Sequence, residues 1–116
     1  MSLVALQEVT GSLFASLANV LHEANKAQGF WPPEGRNAGE CIALMHSELS
    51  EALEALRHGN PPSEKCNDFT ALEEELADCI IRILDFAGSA DLQLGEALIA
   101  KARYNLTRPS KHGKGF

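Results

Sequence analysis

Two segments of the chain, HSELSEALEAL and EEELADCIIRILD, carry pairs of carboxylates three residues apart: Glu48 with Glu51, and Glu75 with Asp78. Residues at this spacing share a helix face and can direct two carboxylates at one ion. At ~100° per residue, with Glu48 at zero, the apolar residues Cys41, Ile42, Met45, Leu49, Leu53 and Leu56 fill an arc of roughly 20° to 140°. Glu48 borders that stripe, and Glu51 follows one turn along, beside Leu44 and Ala55. Glu54, Ser47, Ser50 and Arg57 point away. The second segment repeats the geometry: Leu72, Leu76, Cys79, Ile80, Ile83 and Phe86 form the stripe, and Glu75, Asp78, Arg82 and Asp85 lie next to it. Ile81 and Leu84 populate its far side, so Glu75, Asp78 and Asp85 are expected to be half-buried.

Half-buried neighbouring carboxylates repel one another and lose hydration, and both effects favour protonation unless a cation intervenes. A divalent metal resolves the conflict. Four carboxylate ligands select a hard ion, Mg²⁺ or Mn²⁺, and Mg²⁺ keeps coordination positions for water or phosphate oxygens. A single ExxE on a helix is ordinarily a solvated face. Two such pairs beside apolar stripes, joined by a connection short enough for a helix hairpin, form a pattern of higher specificity.

Other residues join this set. Lys101 and Asn105 stand one turn apart on the side carrying Leu94 and Leu98, with Tyr104 adjacent, and a cation with an amide suits phosphate oxygens. The alternative is a snorkelling lysine and a helix-ending asparagine. Arg82 lies four residues after Asp78 and can orient it, or form an ordinary intrahelical ion pair; Asp85 lies on the same stripe.

The elements that must position these groups are helical. Leu13, Leu17, Val20 and Leu21 recur at helical spacing and predict a helix from about Val4 to Lys26, with a bend or restart near Gly11. GFWPPEGRN is a loop holding Phe30 and Trp31. Asn37, with Glu40 three residues on, starts a helix that runs to about Arg57 and ends at His58, Gly59 and Pro61. After the loop HGNPPSEKCND, Thr70 with Glu73, or Asp68, caps a third helix that Gly88 stops. Asp91 caps a fourth, through about Asn105, and residues 105–116 read as a flexible basic tail. The expected fold is an all-α helical bundle, one domain over 1–116, whose central antiparallel hairpin completes a four-helix core by oligomerisation, as a homodimer or homotetramer.

Composition bounds the function. A formal charge of −6 opposes nonspecific binding to a nucleic acid polymer or an anionic membrane. Three cysteines without CxxC spacing, Cys41 and Cys79 on apolar faces, read as buried free thiols in a reducing cytoplasm. The N-terminal residues lack a basic stretch followed by an apolar one, and no run approaches the ~20 apolar residues of a membrane span, so a cytoplasmic location is expected. No histidine follows a glutamate by three residues, which removes a di-iron carboxylate bundle.

With ELSE, then ELAD after 23 residues, and KARYN beyond, the chain resembles the all-α NTP pyrophosphohydrolases, the MazG-like group related to the dimeric dUTPases. The resemblance spans about residues 10–110. It implies Glu48, Glu51, Glu75 and Asp78 as Mg²⁺ ligands, and Lys101 and Asn105 as the phosphate-contacting KxxxN element. Trp31 is similar in placement to aromatic residues that stack on the base in some members; capping of the core is the alternative role. Ser47 departs from the pattern, since many members carry a further glutamate there. The implied reaction is hydrolysis of a nucleoside triphosphate, a deoxynucleotide favoured, between the α and β phosphates, with Glu48 or Glu51 taking a proton from water and Lys101 stabilising the departing pyrophosphate. The competing expectation is a noncatalytic helical interaction module whose acidic stripes set the register of partner helices.

Overall fold

The computed structural model describes the backbone of residues 3–108 and the side-chain surroundings of residues 13–108. It contains four helices: α1 (Leu3–Ala27), α2 (Ala38–Arg57), α3 (Ala71–Ser89) and α4 (Leu94–Leu106). Helix α3 packs against both α2 and α1, and α4 rests on α1. Apart from one isolated bridge between Pro62 and Thr70, the described residues contain no β-structure, so the all-α class holds. No helix among them is long and apolar enough to cross a membrane.

The caps account for where the two central helices start. Asn37 is extended at ψ 125° and its side chain accepts from the Glu40 N–H at 2.9 Å. Thr70 and Glu73 form a complete reciprocal capping box at the head of α3. The next free donors are satisfied by the preceding loop: Ala71 N–H donates to Pro61 O, and Leu72 N–H to the Asn60 side chain at 2.9 Å. Gly59 (φ +83°) and Asn60 (φ +51°) take left-handed conformations in succession, and Asn60 N–H returns to Ala55 O. The end of α2 is thereby tied to the beginning of α3, which fixes the register of the two acidic faces.

Three expectations about boundaries change. Helix α1 runs through Gly11 without a break. Gly88 does not stop α3; it lies inside the helix because a Cβ there would come within 2.7 Å of Ala18 O and 2.9 Å of His22 Cβ on α1. Its role is close approach of two helices. Asp91 does not cap α4 either: it adopts φ +50° just past the end of α3, while Leu92 N–H bonds back to Ala87 O, the left-handed termination that glycine was expected to supply. Helix α4 begins after Gln93 with no side-chain cap and includes Asn105 and Leu106. Of the tail expected over 105–116, Asn105 and Leu106 are helical, and residues 109–116 lie outside the described residues.

Among the described residues, the buried core is built mostly from small side chains. Ala18, Cys41, Ala52, Ala55, Cys79, Ala87, Leu84 and Ile99 are buried, whereas Ile42, Leu49, Leu53 and Leu56 of α2 and Leu76 and Ile80 of α3 are exposed. The two apolar stripes are thus divided: Cys41 and Cys79 are buried and Met45, Leu72, Ile83 and Phe86 half-buried, while Ile42, Leu49, Leu53, Leu56, Leu76 and Ile80 form an open apolar face. Cys79 Sγ reaches the Met45 carbonyl at 3.6 Å. Cys41 and Cys79 are buried free thiols, and Cys66 is exposed in the α2–α3 loop.

Candidate metal centre

The acidic residues of the two central helices converge. One carboxylate oxygen from each of Glu48, Glu51 and Glu75 lies within 4.8 Å of the others, and Glu74, Glu75 and Asp78 form a second such group, with Glu75 common to both. They line a cavity of about 840 Å³ whose remaining wall comes from Asn25, Gly29, Phe30, Arg36, Lys65, Ile81, Arg82 and Asp85. Its size falls in the range of small-molecule sites.

Burial separates the carboxylates. Glu48 is only 6 % exposed, Glu75 and Asp78 are half-buried as expected, and Glu51 faces solvent, so of the two carboxylates placed beside the α2 stripe only Glu48 is buried. Arg82 Nε donates to Glu48 Oε1 at 2.9 Å. This guanidinium crosses between helices to Glu48, whereas the sequence spacing had directed it to Asp78. Burial opposes ionisation of Glu48, but hydrogen bonding, first from Arg82 and then involving Glu51 and Glu75, outweighs it and holds the group below the ordinary carboxylate range. Burial, followed by the adjoining Glu51 and Glu48, pushes the Glu75 carboxyl up to about 8. Asp78 is also raised, by burial and then by the charges of Glu48 and Glu74, with Lys65 and Arg82 opposing.

Two oxygens bear on whether a divalent ion fits these residues. Glu48 Oε2 and Glu75 Oε2 are buried and have no hydrogen-bond partner among the described residues. A buried acceptor left without a donor is costly, and a hard cation satisfies it with the oxygen donors that Mg²⁺ and Mn²⁺ prefer. Glu74, which lies outside the two spaced pairs, is held by Ser63, a fully buried serine whose hydroxyl donates to Glu74 Oε1. Ser63 Oγ in turn accepts from the Lys65 and Cys66 N–H groups, so the loop turn and the carboxylate are one unit. The signal for Glu74 was its place beside Glu75; the signal for Ser63 required the loop's path.

Asp85 lines the cavity but its carboxylate is occupied. It accepts from His22 Nδ1, Asn25 Nδ2 and Trp31 Nε1, each at 2.9 Å, and it is buried. The residue therefore fastens α1 and the α1–α2 loop to α3. Trp31 is correspondingly pinned: its indole N–H is spent on Asp85, the His22 ring meets it edge-on at 5.0 Å, and the Arg36 guanidinium lies 5.2 Å from its centroid. Trp31 does not line the acidic cavity; the neighbouring, exposed Phe30 does.

Lys101, Tyr104 and Asn105 are not brought to the carboxylates within one chain. All three are exposed on α4, which packs on α1, and none lines the cavity. The Lys101 ammonium sits 4.8 Å from the Tyr104 ring centroid, and Arg108 approaches the same ring at 5.3 Å. Comparison with known proteins adds no identification: no family model, no curated protein and no solved structure matches the chain.

Proposed function

We propose that this chain is a Mg²⁺-dependent nucleoside triphosphate pyrophosphohydrolase, converting a nucleoside triphosphate, a deoxynucleotide favoured, and water to the monophosphate and pyrophosphate. The observation that carries the metal-dependent part of this reading is the pair of buried, unpartnered oxygens Glu48 Oε2 and Glu75 Oε2 in a carboxylate-lined cavity of nucleotide size. The choice of substrate and bond rests on the resemblance of ELSE, ELAD and KARYN to the MazG-like group.

Glu48, Glu51, Glu75 and Asp78 would hold the ion, with Glu74 as a further oxygen donor, and Mn²⁺ is the natural substitute. The ion would supply charge neutralisation of the triphosphate and acidification of water. The chain's own groups do the rest. Arg82 keeps Glu48 charged and oriented. Glu51, the solvent-facing member of its group, is suited to accept the proton of the attacking water. Asp85 holds the Trp31 loop against α3 and so shapes the cavity wall.

The exposed apolar residues of α2 and α3 support self-association as a homodimer or homotetramer, with α2 and α3 as an antiparallel hairpin that pairs with a second copy into a four-helix core. Lys101, Tyr104 and Asn105 would then reach a phosphate only across such an interface. The same apolar face also suits a noncatalytic interaction module. Incubating the protein with each NTP and dNTP in Mg²⁺ and resolving the products separates the two: release of pyrophosphate and a monophosphate is expected. Glu51→Gln and Asp78→Asn should abolish it with helicity retained, and turnover unchanged in either variant would remove the metal assignment.

A further inference from the structure

The cavity carries a surplus of negative charge that an anionic substrate must overcome. Six acidic and three basic side chains line it, a formal charge of −3 with every group ionised. Of the three cations, Arg82 is committed to Glu48. The other two are not committed. Among the described residues neither the Arg36 guanidinium nor the Lys65 ammonium has an ion-pair or hydrogen-bond partner, although carboxylates line the same cavity.

Both stand on backbone that is held in place. Lys65 belongs to the turn closed on the buried Ser63 hydroxyl, which also binds Glu74. Arg36 immediately precedes the Asn37 cap of α2 and lies over Trp31, which Asp85 fixes by its indole N–H. A cation–π contact holds the guanidinium near the ring without using its N–H groups as hydrogen-bond donors, which remain for an oxyanion. The two cations come from different loops, α1–α2 and α2–α3, so together they can grip a chain of phosphates from two directions.

We propose that Arg36 and Lys65 form a two-sided clamp for the polyphosphate chain of a nucleotide, engaged once divalent ions have neutralised the carboxylates. This rests on the reading of the cavity as a metal-dependent nucleotide site, and it assigns phosphate recognition to cations of the same chain that holds the metal ligands. Binding is ordered as a consequence: metal first, phosphate second.

The test uses inorganic pyrophosphate, which the proposed reaction does not consume, with the full chain by calorimetric titration. Mg²⁺ affinity is measured first, then pyrophosphate affinity at saturating Mg²⁺, for the parent protein, Arg36→Gln, Lys65→Gln and Lys65→Arg. Each loss of charge should weaken pyrophosphate about tenfold, as expected for a charge-assisted phosphate contact, while Mg²⁺ binds as tightly or more tightly because a repelling cation has gone. Lys65→Arg should retain most of the affinity. Retained Mg²⁺ binding also shows that a variant is folded. Pyrophosphate affinity within twofold of the parent in either glutamine variant overturns the clamp and leaves the metal reading standing; absence of Mg²⁺ binding by the parent protein overturns both.

Discussion

At the scale of single residues, Glu75 sets the pH behaviour of the site. Its folded value of about 8 lies above the ordinary value of 4.5, so between these limits the folded chain retains a proton that the unfolded chain has lost. The contribution of this group to stability therefore falls as pH rises through that window. An incoming ion must displace the same proton. Mg²⁺ affinity should rise with pH, by up to about tenfold per unit, and flatten above about 8, with about one proton released per ion near neutrality. Titrations in buffers of different ionisation enthalpy measure that release, and an affinity constant from pH 6 to 8 would contradict the assignment. Asp85 makes a different prediction, because three donors depend on it. Asp85→Ala should cost about 3 kcal/mol in denaturant unfolding, the usual consequence of leaving buried polar partners unmatched. The emission of Trp31, the only tryptophan, should shift to the red as its loop detaches.

At the scale of elements, the register between helices is decided at two small contacts. Gly88 allows the backbone of α1 to approach α3, and Ala18 O occupies the place a methyl group would need. Helix propensity alone predicts that Gly88→Ala stabilises by about 1 kcal/mol. The contact predicts the opposite, a loss of about 1–3 kcal/mol as the two helices are forced apart. Thermal melting of the variant distinguishes the signs. Asn60 holds the α2–α3 connection by its left-handed backbone and its bond to Leu72 N–H. Asn60→Ala should cost about 1–2 kcal/mol and weaken Mg²⁺ binding as well, since Glu51 and Glu75 lie on opposite sides of that connection. The two central helices were visible as amphipathic segments with caps at Asn37 and Thr70. The Gly88 and Asp91 roles were not: a glycine near the end of a periodic segment reads as a stop until the neighbouring helix is in place.

At the scale of the whole molecule, α2 and α3 leave a set of large apolar side chains exposed. Leu53 and Ile80 are 50 % and 53 % exposed, and burying each in a partner is worth about 1 kcal/mol or more. If the parent associates through this face as proposed, Leu53→Glu and Ile80→Glu should leave the helices of each chain formed and shift sedimentation to the monomer; an unchanged association state would show that this face is not the interface. If the parent is oligomeric and Lys101, Tyr104 and Asn105 act on a neighbouring site, activity should fall with dissociation while Mg²⁺ binding persists.

The sequence by itself determined the all-helical class, the four segments, the caps of the two central helices and the placing of Glu48, Glu51, Glu75 and Asp78 beside apolar stripes. These are local properties: periodicity and capping act over one or two turns, and a carboxylate beside an apolar stripe is visible on a wheel. Tertiary structure alone decided what each group meets. It sent Arg82 to Glu48, gave Asp85 to His22, Asn25 and Trp31, placed Arg36 and Lys65 on the cavity wall, and left Leu49, Leu53 and Ile80 outside the single-chain core. Those outcomes depend on the distance and rotation between helices, which are set by small side chains such as Ala52, Ala55, Cys79 and Gly88 at the contacts, and no period along one helix encodes them.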